Sequence, residues 1–254
     1  MAPNPRAQKN HDELFPGYVS KVAITDPELI EVFDNFAFDE VLAHGSLDAH
    51  TRLMVQLASM IACQAVREFR AMLGPATVVG VTPVEIKEIV YQAVPYVGIS
   101  KVLDFIVATN EFLLERGVEM PLAPQATTTP ETRYEKGLAL QKKIAGEEGL
   151  QKMLDAAPAD QLHIHRYLAA NCFGDHVSRS GIDLATRELL TFTMLISLGG
   201  CDPQAKGHVA GNLHVGNSRQ TLIDVVTQLL PYIGYPRTLN ALRAIDEVVP
   251  YAEA

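Results

Sequence analysis

The sequence has no tryptophan and only 7% aromatic residues, and its three cysteines, Cys63, Cys172 and Cys201, are an odd number without framework spacing. A disulfide-stapled secreted scaffold is therefore excluded, and stability has to come from packing. Basic charge is short as well: 21 Lys and Arg stand against 30 Asp and Glu, a formal net charge of -9. That balance argues against nucleic acid or an anionic membrane surface as the main partner. The longest uncharged runs, residues 53–66 and 189–201, fall short of the roughly 18 residues a membrane span needs. The polar opening Met1 to Arg6 lacks the apolar core of a secretory signal, so the expected location is cytoplasmic. No His-x3-His or Cys-x2-Cys pair is present, and His163 and His165 are spaced wrongly for one helix face, so no metal is expected. What remains is a chain of 254 residues, 48% apolar, with ample material for a core.

That chain is written twice. Phe38, Asp48 and Thr51-Arg52 recur as Phe173, Asp183 and Thr186-Arg187 at an offset of 135. Gly80, Gln92 and Pro95-Tyr96-Val97-Gly98 recur as Gly216, Gln228 and Pro231-Tyr232-Ile233-Gly234 at an offset of 136. A period this long indicates a duplicated domain rather than a solenoid unit. The proline- and threonine-rich stretch 121–133 reads as a linker between an N-terminal repeat, 1–120, and a C-terminal repeat, 134–254. Both halves carry helical periodicity and almost no alternating pattern, so the expected class is all-α. Thr82-Pro83-Val84-Glu85 spells a capping box with proline in the first turn, Ser218 repeats that role, and Asp48 and Asp183 are N-caps. The segment 189–195 is apolar nearly all round and is expected at the centre.

The chemistry-bearing stretch is Gly199 to Gly211. Asp202-Pro203 opens a helix and leaves Cys201 at its N-terminus, where free N–H groups and the macrodipole favour a thiolate. Gln204 and His208 share one face of that helix, and Gly207 with Gly211 lets another backbone approach. Cys201 and His208 are about 10 Å apart along a regular helix, so contact between them is not assumed. His214 lies on a different face and reads as a loop residue unless Gly216 turns the chain back. Asp175 and Glu188 read as a solvated acid and a first-turn dipole partner, or as the carboxylate that orients a histidine.

Phe173-Gly-Asp175, Ile182-Asp183, Thr186-Arg187-Glu188, the Leu-Gly-Gly turn at 198–200, then Cys201, Gln204, His208, Gly211, Leu213 and Gly216, and finally Pro231 to Asn240 resemble the carboxymuconolactone decarboxylase family, which includes alkyl hydroperoxidase D-like proteins. The resemblance implies an all-helical fold whose one-repeat members form rings of six, so a two-repeat chain would need three copies. The hydroperoxidases carry a second cysteine where this chain has Gln204, although Glu188, Cys201 and His208 match. Without that thiol a dithiol cycle stalls at the sulfenic acid, unless Cys172 reaches Cys201. In the first repeat the corresponding positions are Ala65, Glu68 and Met72, which reads as scaffold, with Cys63 a core residue.

The decarboxylase branch implies a lyase without cofactor acting on a carboxylated lactone or related small acid. In that reading His208 is the general acid, Asp175 or Glu188 orients it, and Arg187 or Lys206, with Gln204 and His214 nearby, contacts substrate. A thiol-dependent peroxidase using Cys201 and a non-catalytic ring-forming protein are the competing classes. Assembly is expected independently, because Gly207 and Gly211, the apolar segment 218–230 and the Pro-Tyr-Ile-Gly loop offer more apolar surface than one repeat covers.

Overall fold

The computed structural model describes residues 3–18 and 20–251. The first repeat runs α1 (Pro5–Leu14), α2 (Val22–Thr25), α3 (Pro27–Asn35), a π-helical segment (Phe36–Glu40), α4 (Ala49–Ala62), α5 (Val66–Val78), α6 (Pro83–Val97) and α7 (Ile99–Glu115). The second runs α8 (Arg133–Ala145), α9 (Glu147–Asp155), a 3-10 turn, α10 (Leu162–Tyr167), a longer π-helical segment (Leu168–Val177), α11 (Leu184–Leu198), α12 (Asp202–His214) and α13 (Arg219–Val248). No strand occurs among the described residues, so the class is all-α. Duplication extends to irregular features: each repeat has its π-helical segment immediately ahead of its capped central helix.

Local chemistry sets the boundaries. Asp48 accepts from the Thr51 amide and Asp183 from the Thr186 amide, so α4 and α11 start at equivalent places. The capping box of α6 is complete, with Thr82 bonded to the Glu85 amide and Glu85 bonded back to the Thr82 amide. Ser218 caps α13 in the same position. Gly98, at φ 90°, ends α6, and its counterpart Gly234, at φ 75°, breaks α13 where the first repeat passes from one helix to the next.

The two central helices pack against each other. Every residue from Arg187 to Ser197 in α11, and from Leu53 to Ala62 in α4, is buried. Small side chains allow the close approach: Ser197 Oγ and Ser59 Oγ are hydrogen-bonded at 2.8 Å with neither exposed. The repeats then cross-brace. α6 lies against α11 as well as α4, and α13 lies against α4 as well as α11. Gln92 donates to the Arg187 carbonyl (2.8 Å) and Thr191 Oγ1 (3.0 Å), while its counterpart Gln228 donates to the Val41 carbonyl at 3.0 Å.

The strongest brace is ionic. Glu88 of α6 binds Arg187 Nη2 at 2.8 Å and Arg179 Nε at 2.9 Å, and both Glu88 and Arg187 are 1% exposed. In the mirror position Asp224 accepts from the Ser46 amide at 2.9 Å, and Gly45, at φ 96°, leaves it room, since a Cβ there would lie 2.8 Å from the carboxylate. Linker residues dock on the second repeat, with Thr127 and Thr128 donating to the Ser178 and Gly174 carbonyls.

Candidate functional site

Glu188 sits in the second turn of α11 and is completely buried. Its Oε2 is 2.8 Å from His208 Nδ1 on α12, whose side chain remains 17% exposed. With Glu188 ionised, Nδ1–H donates to the carboxylate and Nε2 is left as the ring's other proton-carrying atom. Gly211 explains how a carboxylate fits there. A Cβ at 211 would lie 2.8 Å from Glu188 Oε2 and 2.9 Å from Ile144 Cγ2. Of the two glycines read as a stripe from the sequence, only Gly211 makes a close approach, and it admits a side chain of the same repeat, whereas a Cβ at Gly207 would meet open space. Asn212 ties the two elements together, donating to the Glu188 carbonyl at 3.1 Å and the His208 carbonyl at 2.6 Å. The other carboxylate oxygen, Glu188 Oε1, is buried with no hydrogen-bond partner.

The first repeat completes the site. Tyr96, near the end of α6, presents its ring edge-on to His208 with centroids 6.2 Å apart. The Cys172 thiol donates to the Tyr96 hydroxyl at 3.6 Å. Burial, followed by the negative charges around it, pushes the Tyr96 hydroxyl well above its usual range, and burial pushes the Cys172 thiol up to about 11. At neutral pH both are therefore uncharged.

The other residues proposed from sequence lie elsewhere. Asp175 is not beside the histidine: its carboxylate pairs with Arg133 Nη2 at 2.7 Å and accepts from Asn171. Arg187 commits both terminal nitrogens to Glu88, Gln92 and the Arg179 carbonyl and is 1% exposed, so it braces the repeats inside the core, with its Nε buried and unpartnered. Lys206 pairs with Glu247 at the surface. His214 bonds the Ile144 carbonyl at 2.7 Å, securing the last turn of α8. Gln204 is exposed one turn ahead of His208.

Cys201 does occupy the N-cap position of α12, but makes no capping hydrogen bond. Its thiol donates to the Gly199 carbonyl at 3.5 Å, and its side chain packs on the main core. Cys172 belongs to a separate small cluster with Ile144, Phe173 and Val177. All three cysteines are free.

Tyr96, Asn212 and Cys172 are the neighbours of the Glu188 and His208 pair that residue patterns did not assign to it. For Tyr96 a signal existed, since Pro-Tyr-x-Gly is among the motifs both repeats keep. In the first repeat, Leu53 and Met72 stand where Glu188 and His208 stand in the second, and Tyr232 stands for Tyr96. That position is not solid packing: Phe15, Phe33, Phe38, Met72 and Tyr232 line a cavity of about 290 Å³.

The family model described as "Carboxymuconolactone decarboxylase family" matches residues 27–111 and again 164–247, one match in each repeat. A 4-carboxymuconolactone decarboxylase from Acinetobacter baylyi is 25% identical over 118 residues, 46% of this chain and 87% of that protein. The two matches bracket the two capped central helices and the buried carboxylate and imidazole pair of the second copy, and the chain belongs, as a tandem duplicate, to the carboxymuconolactone decarboxylase family.

Proposed function

We propose that the chain is a cofactor-independent carboxy-lyase acting on a carboxylated lactone or a related small acid, with His208 as the proton donor. The observation that carries this reading is the 2.8 Å bond between His208 Nδ1 and a fully buried carboxylate, on a ring that itself keeps 17% of its surface exposed. Glu188 holds the imidazole in one orientation and compensates the imidazolium. The substrate carboxylate leaves as carbon dioxide when its C–C bond breaks, and the electron pair stays behind as a dienolate. Nε2 gives its proton to carbon, and the neutral imidazole takes another from solvent. Neutral Tyr96 stands edge-on to the imidazole without adding charge that would oppose the dienolate. Gln204, exposed on the same helix face, is the side chain placed to meet substrate at the mouth.

The test compares His208→Ala, Glu188→Gln and Cys201→Ser on 4-carboxymuconolactone and on an organic hydroperoxide. Lactone turnover lost in His208→Ala, lowered about 10–100-fold in Glu188→Gln and kept in Cys201→Ser is the expected result. Turnover of hydroperoxide alone, abolished by Cys201→Ser, would replace the lyase by a thiol peroxidase.

Assembly of three copies into a ring is part of the same proposal, on a different surface from the one the sequence suggested. The 218–230 segment spends Leu222, Val225, Val226 and Leu229 on the chain's own core. Among the exposed apolar side chains, Ile99, Leu103 and Val107 form a stripe at helical spacing on α7, and Tyr235 and Leu239 on the second half of α13 are the repeat-related positions. Light scattering on wild type and Leu103→Lys tests it, and a monomeric wild type would refute it. No helix among the described residues is long and apolar enough to cross a membrane.

A further inference from the structure

A second cavity, of about 180 Å³, opens between α6 and the segment that joins the repeats, and Lys87 is its most unusual wall. This lysine is only 5% exposed. Its Nζ donates to a neutral acceptor, Asn110 Oδ1, at 2.6 Å and lies 5.0 Å from the centre of the Tyr91 ring. Buried ammonium groups are ordinarily matched by a carboxylate, because desolvating an uncompensated charge is costly. Glu88, the next residue on α6 and also part of the cavity wall, is instead bound by two guanidiniums, those of Arg179 and Arg187. Lys87 and Arg179 therefore line the cavity together with one acid that is already paired, in a chain whose net charge is -9. Among the described residues, no acidic residue besides Glu88 lines the cavity. Apolar wall comes from Val84, one turn before Lys87 on α6, and from Met120, Pro121 and Leu122 of the joining segment.

We propose that this cavity binds a small organic monocarboxylate, with the carboxylate on Lys87 Nζ and the apolar body against Leu122 and Val84. An apolar cavity of roughly 150 Å³ accepts one benzene ring, so about 180 Å³ suits a one-ring or short branched acid. An inorganic oxyanion would satisfy the ammonium but leave the apolar wall unused. The site is distinct from the His208 cleft: Lys87 and Tyr96 are nine residues apart on α6, about 13 Å along the helix at about 1.5 Å per residue.

Calorimetric titration of the full chain with benzoate tests the site, with inorganic phosphate at matched ionic strength as the comparison. Saturable benzoate binding is expected. Lys87→Met should weaken it at least about tenfold, since a charge-assisted hydrogen bond is removed. Leu122→Glu, on the joining segment and outside any helix, should weaken it similarly by placing a like charge in the wall, and keeps the test valid if Lys87→Met fails to fold. His208→Ala should leave the affinity unchanged, which separates this site from the proposed lyase cleft. Benzoate binding that survives both Lys87→Met and Leu122→Glu, phosphate binding as tightly as benzoate, or no saturable binding would each overturn the proposal.

Discussion

Replacing Glu188 and His208 by the residues of the first repeat should make the protein more stable and catalytically dead. Glu188 is fully buried, and Oε1 has no partner. An unsatisfied buried acceptor costs about 1–3 kcal/mol, and more when it is charged. Exchanging a buried ionic pair for apolar side chains of similar volume is often neutral or stabilising by about 1–4 kcal/mol. The fold already demonstrates the apolar solution, because Leu53 and Met72 occupy the related positions, with Leu53 unexposed. Glu188→Leu combined with His208→Met is therefore expected to add about 1–4 kcal/mol. For a chain of this size that corresponds to a Tm rise of roughly 2–16 °C. Glu188→Gln alone replaces a charge-assisted bond by a neutral one and should lower kcat about 10–100-fold, at 1.36 kcal/mol per tenfold. Calorimetry and lactone turnover on the same preparations give both numbers. A double variant that melts below wild type would refute the view that this pair is held at a stability cost for the sake of chemistry, as would a Glu188→Gln kcat within threefold of wild type.

Glu88→Gln should destabilise the fold by about 3–5 kcal/mol in urea unfolding, because it strands the buried Arg187 guanidinium, and Arg187→Met in the same chain should recover most of the loss. Burial pushes the His176 imidazole below its ordinary value, with Asp175 opposing. The unfolded chain therefore takes up this proton first as pH falls through about 6.5, so the contribution is present above that pH and lost below it. His176→Asn should flatten the fall in urea midpoint between pH 7.5 and 5.5, and an unchanged slope would count against it. With its thiol pushed up to about 11, Cys172 should resist iodoacetamide at pH 8 in the folded chain and react only on unfolding, as read by peptide mass spectrometry.

Local rules were enough to read the helices. The caps at Asp48, Thr82, Asp183 and Ser218 use hydrogen bonds within one turn, so four or five consecutive residues carry all the information. The duplication was legible for a similar reason, since both copies preserve side chains such as Gln92 and Gln228 that brace the opposite repeat. Pairings across the chain were not legible. Glu188 and Asp175 are equally plausible partners for His208 in the sequence, and what separates them is that α11 points one inward beneath Gly211 while Arg133 of α8 holds the other at the surface. Arg187 looked like a ligand contact until α6 delivered Glu88 and Gln92 to it from ninety-nine and ninety-five residues away. Tyr96 joined the site by the same crossing. A linear sequence encodes short-range hydrogen bonding and amphipathic period directly. Which carboxylate meets which cation depends on how two similar helical units pack, and only the tertiary structure brings those distant charges into one dry, low-dielectric place where the pairing matters.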